Sequence, residues 1–331
     1  MSGAGQRVLV LGASGFVGGA VSRRLLAAGR QVTALVRDPG SAAAGRLADA
    51  GARVHGCDML APATYVPLVA EADAVVHAAQ LRFPGRLSAA RVARMRAAEL
   101  TTARALAEAC LRHGRRLLLT GGAFVYGDHG DGWISESTPH RPSPLGVGHA
   151  RSAALLRELG QRGLDAVELY AGFVYGPGGN FKDAFLDQVP GGRLRHPGDG
   201  RNHWSCVHLD DLADGYLAAL DHAPAGRAYN LVDDEPLPLA DLTRQVARAT
   251  GVPRVSGVPG PLVALALGRA VARSLTTSYR VSNRRARDEI GWNPAHPTVA
   301  EGLPSVLAAL AAGTPDGVTA PSTTHPGGRD T

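Results

Sequence analysis

Apolar residues in the first half of the chain fall into short blocks separated by longer stretches with helical spacing. Val8–Leu11, Val32–Val36, Arg53–His55, Ala74–His77 and Leu117–Thr120 are the blocks. They show little alternation, which predicts strands covered on both faces. Phe16–Ala28, Tyr65–Ala70 and Leu87–His113 read as helices, the last stopping before Gly114. Residues 121–146 are rich in Gly, Pro, Ser and His, the composition of loops that border a site. A helix over Gly146–Gly160 and a strand at Ala166–Tyr170 resume the alternation, which lapses beyond Gly176-Pro177. The order predicts an α/β fold, a Rossmann-like doubly wound parallel sheet with a smaller C-terminal lobe.

Composition narrows the class. With 331 residues, 45% hydrophobic and 19% charged, the chain suits a globular enzyme with one large core or two modest ones. Aromatics are only 5%, so Ala, Leu and Val must fill the interior. The net charge of +6 is carried almost wholly by scattered arginines, without the patch that nucleic-acid binding needs. Cys57, Cys110 and Cys206 form no paired ligand motif. An odd count with no leader predicts a reducing, cytoplasmic setting. The longest apolar stretch, around Pro261 to Leu267, is far short of the ~20 residues a membrane span requires, so no membrane partner is expected. No metal site is expected either, since the His and Asp spacing around 128–131 lacks a ligand pattern.

The first block carries the clearest chemistry. Arg7-Val-Leu-Val-Leu11 runs into Gly12-Ala-Ser-Gly15-Phe-Val-Gly18 and then into a helix. A strand, a glycine turn and a helix start hold a dinucleotide pyrophosphate on backbone amides. Gly12, Ser14, Gly15, Phe16, Val17 and Gly18 are the candidate cradle. The second strand ends on Val36 and is followed by Arg37, where an NAD site would put an acid. A guanidinium there suits a 2′-phosphate and predicts NADP over NAD. Asp58, with Met59 beside it, is placed to accept from the adenine amino group. Ala78, Ala79 and Gln80 end the fourth strand with small residues, where backbone must pass close to the nicotinamide ribose. On this reading residues 1–175 are mainly the dinucleotide-binding domain. Residues 176–312 are mainly a substrate lobe interleaved with it, and 313–331, poor in large apolar side chains, form a tail with no core of its own.

These residues resemble the extended short-chain dehydrogenase/reductase family, which holds sugar-nucleotide epimerases and dehydratases and dihydroflavonol-type reductases. The resemblance covers about residues 6–310. GASGFVG matches the family's GxxGxxG, and VVHAAQ its fourth-strand motif. TGGAFVYGD (120–128), LYAGFVYGPGG (169–179), CVHLDDLADGYLAAL (206–220) and VSNRRARDEIGWNP (281–294) follow in the family's order.

Laid on that frame, the family's catalytic groups are missing. Gly122 stands at its Ser/Thr position, Leu145 replaces the tyrosine acid and His149 the lysine. Tyr170 replaces the family's arginine before Pro-Gly, and none of the chain's seven tyrosines has a lysine four residues later; Lys182 is the only lysine. Losing a general acid typically costs ~10²–10⁴-fold in rate. The resemblance leaves His149 to relay a proton or to hold ribose hydroxyls. It makes Tyr126 and Tyr175 further candidate acids and pocket-lining groups, and puts His203 and Trp204 against substrate. Three readings stay open: an NADPH-dependent reductase of a small, fairly apolar metabolite with a non-standard proton donor, a redox-neutral cyclase, isomerase or lyase that keeps NADP, and a non-catalytic NADP sensor. Leu87–His113 and Gly146–Gly160 would supply the four-helix bundle of a homodimer.

Overall fold

The computed structural model describes residues 5–83 and 85–313. Seven parallel strands form the centre: β1 (Arg7–Leu11), β2 (Gln31–Val36), β3 (Arg53–Gly56), β4 (Ala74–His77), β5 (Arg116–Gly122), β6 (Ala166–Ala171) and β7 (Ala228–Leu231). Their order is β7-β6-β5-β4-β1-β2-β3, with the chain reversing direction across the sheet between β1 and β4. In such sheets ligands bind outside the carboxyl ends of the strands at that reversal. β1 is in register with both neighbours, Leu11 pairing with Leu35 on one side and His77 on the other.

Alternate residues of each strand feed two separate apolar layers. Val8 and Val10 pack with α1 (Phe16–Ala27), α2 (Ala42–Asp49) and α6 (Leu209–His222). Leu9 and Leu11 pack with α3 (Ala89–His113) and α4 (Val147–Gly160) on the other face. Both faces are covered, which is why the strands read as unbroken apolar runs. A third cluster, around Phe181, Leu194, Trp204 and Leu242, lies under α5 (Gly179–Ala184), α7 (Leu239–Thr250) and α11 (Val299–Ala311). Residues 209–231 return to the central sheet as α6 and β7, and α10 (Arg284–Ile290) packs beside them. Between α7 and α10 lie the short α8 (Gly260–Leu267) and α9 (Arg269–Leu275).

The helix boundaries have local causes. Ser88 caps α3 by accepting from Arg91 N at 3.3 Å, so the helix begins two residues after the expected Leu87. It ends on Gly114 at φ +62°, a conformation open to glycine. The helix expected over Tyr65–Ala70 is instead 3₁₀ turns, Val66–Glu71, with Pro67 in the first turn. α2 was not expected. Its composition is weakly patterned, and Ser41 starts it by accepting from Ala44 N. Residues 314–331 of the expected tail lie outside the described residues.

One contact sets the angle of α1 against β1. A β-carbon on Gly18 would lie 2.2 Å from the Gly12 carbonyl oxygen, so the helix sits directly on the turn. Gly18→Ala must push the two apart against backbone, and overpacking of this kind costs about 1–3 kcal/mol. The expected result is a lower urea midpoint with an unchanged m-value; an unchanged midpoint would show that the helix has room to spare.

Candidate active site

The glycine turn meets the requirements of an anion cradle. Gly12 sits at φ +87°, and a β-carbon there would lie 2.7 Å from Ala79 Cα and Ala79 N. The turn therefore runs against the chain leaving β4. Gly15 is the residue before α1 and has no side chain to cap it, and the first turn holds no acid. The amides of Phe16, Val17 and Gly18 precede the first in-helix donor, Gly19 N, and stay open to a ligand. Ser14 is half-buried beside them and Gly15 is exposed. These features fit a dinucleotide pyrophosphate.

Around this turn the strand ends supply the other expected groups. Arg37 follows β2, is exposed, and makes no ion pair or hydrogen bond among the described residues. Asp58 follows β3, with its Oδ1 accepting from Leu60 N at 2.9 Å. Met59 O accepts from Tyr65 Oη at 3.2 Å and Thr102 Oγ1 at 3.1 Å, which ties that loop to α3. Ala78 N donates to Leu11 O at 2.9 Å; Ala78 and Ala79 are half-buried and Gln80 exposed. Gly12, Arg37, Asp58 and Ala79 thus all lie at the carboxyl ends of β1, β2, β3 and β4.

The three positions that the family resemblance marks, Gly122, Leu145 and His149, fall at the end of β5, just before α4 and in its first turn. A β-carbon at Gly122 would stand 3.8 Å from both Cδ2 and Nε2 of His149, so the structure brings those two positions together. Leu145 is half-buried, and its N–H donates to Ser274 Oγ of α9 at 3.1 Å. Glu99 of α3, a residue the sequence did not single out, puts Oε1 against His149 Nδ1. Gly148 makes this possible, because a β-carbon there would lie 2.0 Å from Glu99 Oε2. The contact sets a carboxylate beside Nδ1, while Nε2 lies on the Gly122 side of the ring. His77, buried at the end of β4, is pushed down to about 4 by burial and then by the nearby His149, and its Nδ1 has no partner among the described residues.

The candidate substrate residues are placed differently from one another. Tyr126 is fully buried, and its hydroxyl donates to Asn230 Oδ1 at 2.7 Å. Tyr175 is also fully buried, and donates to Thr298 O at 3.3 Å, at the start of α11. Burial holds both phenols well above their ordinary value. Trp204 is buried, donates to Leu275 O at 3.2 Å and packs on Phe173 at 4.7 Å. His203 is half-buried with Nδ1 3.6 Å from Asp131 Oδ1, so the two loops face each other. Two further contacts had no signal in the sequence. The Phe16 ring stands against Gly176 and Gly179, and Arg82, after β4, pairs with Asp183 of α5 at 2.8 Å. Both tie the glycine turn and the β4 exit to the C-terminal lobe.

His208, Asp211 and His296 come close enough to share a metal ion. Several of their polar atoms are already engaged within the fold. Asp211 accepts from Ala295 N, His296 N and His296 Nδ1, and His208 Nδ1 accepts from Asp210 N at 3.2 Å while Nε2 meets Ser305 Oγ at 3.0 Å. The cluster caps α6 and fastens the 295–296 turn to it.

Residues 8–231 match the NAD dependent epimerase/dehydratase family. The chain belongs to that family. Among relatives, a 3-diazoavenalumate denitrifying reductase from a Streptomyces species is 33% identical, covering 90% of this chain and 99% of the relative. A 2-alkyl-3-oxoalkanoate reductase from Stenotrophomonas maltophilia (strain K279a) is 28% identical, covering 92% of this chain and 100% of the relative. Among solved structures, a dTDP-glucose 4,6-dehydratase from Streptomyces venezuelae superposes with a TM-score of 0.79 at 23% identity, covering 93% of this chain and 97% of that one. That likeness shows the fold. The family is NAD-dependent and the named relatives are reductases, so this member joins oxidoreductase-type proteins built on a nicotinamide dinucleotide site. Among the described residues no helix is long and apolar enough to cross a membrane.

Two buried histidines give the fold an acid-sensitive limb. His77 and His208 are each held near 4 by burial, whereas the unfolded chain protonates them near 6.5. Between those values the unfolded state binds more protons, so stability falls as pH drops through that window, by the order of 1–3 kcal/mol for each. His296 acts in the opposite sense, since its hydrogen bond to Asp211 raises it. Urea midpoints measured from pH 7 to pH 4 should fall, and His77→Gln should flatten the slope. A variant with the wild-type slope would show that His77 stays charged in the fold.

Proposed function

We propose that this chain is an NADP(H)-dependent reductase of a small, fairly apolar metabolite, working without the family's tyrosine acid. The observation that carries the reading is the Gly122–His149–Glu99 arrangement beside an intact glycine turn. NADPH, when bound, supplies the hydride. Phe16, Val17 and Gly18 would take its pyrophosphate on their amides, and Arg37 its 2′-phosphate. Asp58 and Met59 would border the adenine, and Ala78, Ala79 and Gln80 would let the nicotinamide ribose pass. Nε2 of His149 would meet the ribose hydroxyls or carry the one proton a product needs, with Glu99 fixing its orientation. Tyr126 and Tyr175 spend their hydroxyls inside the core, so the proton falls to His149. His203 and Trp204 would shape the outer wall of the pocket.

The missing acid also narrows the acceptor. A ketone that takes a hydride becomes an alkoxide and needs a proton at once, which Leu145 cannot give and which would fall to His149 alone, a poorer donor than the family's positioned tyrosine. An aryl diazonium that takes a hydride becomes the arene and releases dinitrogen: Ar–N₂⁺ and H⁻ give Ar–H and N₂, with no proton required. The relative named for denitrifying a diazo compound supports this acceptor class.

Calorimetric titration should show NADPH binding more tightly than NADH, with Arg37→Glu weakening NADPH by about tenfold or more and leaving NADH nearly unchanged, a loss of ~1.4 kcal/mol. Equal affinity for the two in the wild type would overturn the NADP assignment. Offered an aryl diazonium salt, the protein should oxidise NADPH above the protein-free rate with one dinitrogen released per NADPH. Simple ketones should be turned over at least ~10²-fold more slowly, the scale of a missing general acid. Ketone turnover at a comparable rate, or no NADPH oxidation with any acceptor, would sink the reading.

A further inference from the structure

The apolar helix α8 contributes little to any core. Leu262, Leu265 and Leu267 are 55%, 71% and 41% exposed, and Val263 alone of the helix is buried. Leu262 and Leu265 are three residues apart and share one side of the helix. Contiguous large aliphatic side chains in water mark a surface that meets something else.

The surroundings of α8 are known from its contacts. Leu267 O accepts from Leu87 N at 3.0 Å, and Gly268 is pressed against Leu87 O. α9 follows at once, and its Ser274 receives the Leu145 N–H. The α8–α9 hairpin is therefore fastened to the loop after β4 and to the start of α4, at the mouth of the cleft, and presents its leucines outward.

Charge decides the occupant. Arg86, Arg269 and Arg273 are exposed and in no ion pair among the described residues. No Asp or Glu occurs from Ala74 to Ala98 or from Gly251 to Tyr279, the two segments that meet here. An apolar ridge framed by one sign of charge repels its own copy, because self-association would set arginine against arginine. An anionic lipid surface offers what both parts need, an acyl layer for the leucines and negative headgroups for the guanidinium groups. At about 12 Å long, α8 lies in such an interface and does not cross it.

We propose that α8, with Arg86, Arg269 and Arg273 beside it, docks this protein on an anionic membrane surface with the cleft mouth toward the lipid. The docking rests on this surface alone and holds or fails independently of the hydride acceptor. The test is co-sedimentation of the full chain with vesicles of phosphatidylcholine alone and of phosphatidylcholine mixed with phosphatidylglycerol. Binding to the mixed vesicles should exceed binding to neutral ones by about tenfold and weaken in high salt. Leu262→Ser/Leu265→Ser and, separately, Arg269→Glu should each lose most of it while keeping the wild-type unfolding midpoint and NADPH affinity. No binding to the mixed vesicles, or undiminished binding by the leucine variant, overturns the proposal. So does light scattering that shows a dimer which the leucine variant dissolves, since a second copy would then own the surface.

Discussion

The approach of α1 to the Gly12 carbonyl governs the rest of the cleft. Because Gly18 carries no side chain, the helix can begin on top of the turn that ends β1, and its first amides point across the reversal of strand order. The same placement brings the Phe16 ring against Gly176 and Gly179, far along the chain. Helix, turn and C-terminal lobe are thus set by one backbone contact, and a shift of α1 by even a methyl group would move all three. The packing of interiors leaves no slack to absorb such a shift.

On that frame His149 and Glu99 form the central pair of the candidate site. Where the family resemblance puts a tyrosine and a lysine, this chain has Leu145 and His149. A histidine alone has two competing nitrogens, and its orientation is undetermined until one is engaged. Glu99 engages Nδ1 from α3, and Gly148 is the residue that lets the carboxylate in. The pairing is partly shielded, with the two side chains 11% and 22% exposed, so it is less screened than a surface pair. The His149 ring thus lies between Glu99 on its Nδ1 side and Gly122 on its Nε2 side.

The strands were legible because a parallel sheet covered on both faces demands uninterrupted apolar runs, and Val8–Leu11 through Leu117–Thr120 are such runs. The long α3 was legible from its period and its glycine stop. α2 was not, since AAAGRLAD has only Ala44 and Leu47 to bury and depends on the Ser41 cap. Within the site, Gly12 to Gly18 are local and could be read directly. Glu99 could not, because its meeting with His149 exists only after α3 and α4 pack. Tyr126 and Tyr175 show the same limit for direction. A Tyr-Gly pair fixes where the residue is along the chain, but the hydroxyl goes to whichever partner the tertiary fold provides, here Asn230 and Thr298.

Those inward hydroxyls have a structural consequence at the floor of the cleft. Tyr170, at the position where the family resemblance puts an arginine, donates to Glu168 at 2.5 Å, and its ring meets those of Tyr126 and His140 edge-on. Burial raises the Glu168 carboxyl, and the tyrosine offers it a neutral donor where an arginine would have offered charge. Tyr126 continues the chain to Asn230, whose backbone N–H donates to Glu136, itself facing Arg285. A buried network with its members paired in this way costs little, whereas removing one member strands the next. An arginine at position 170 would bring a second charge into the same pocket as Arg285. With a phenol at that position the cluster instead closes as a hydrogen-bonded network inside the core, Tyr170 itself being 2% exposed.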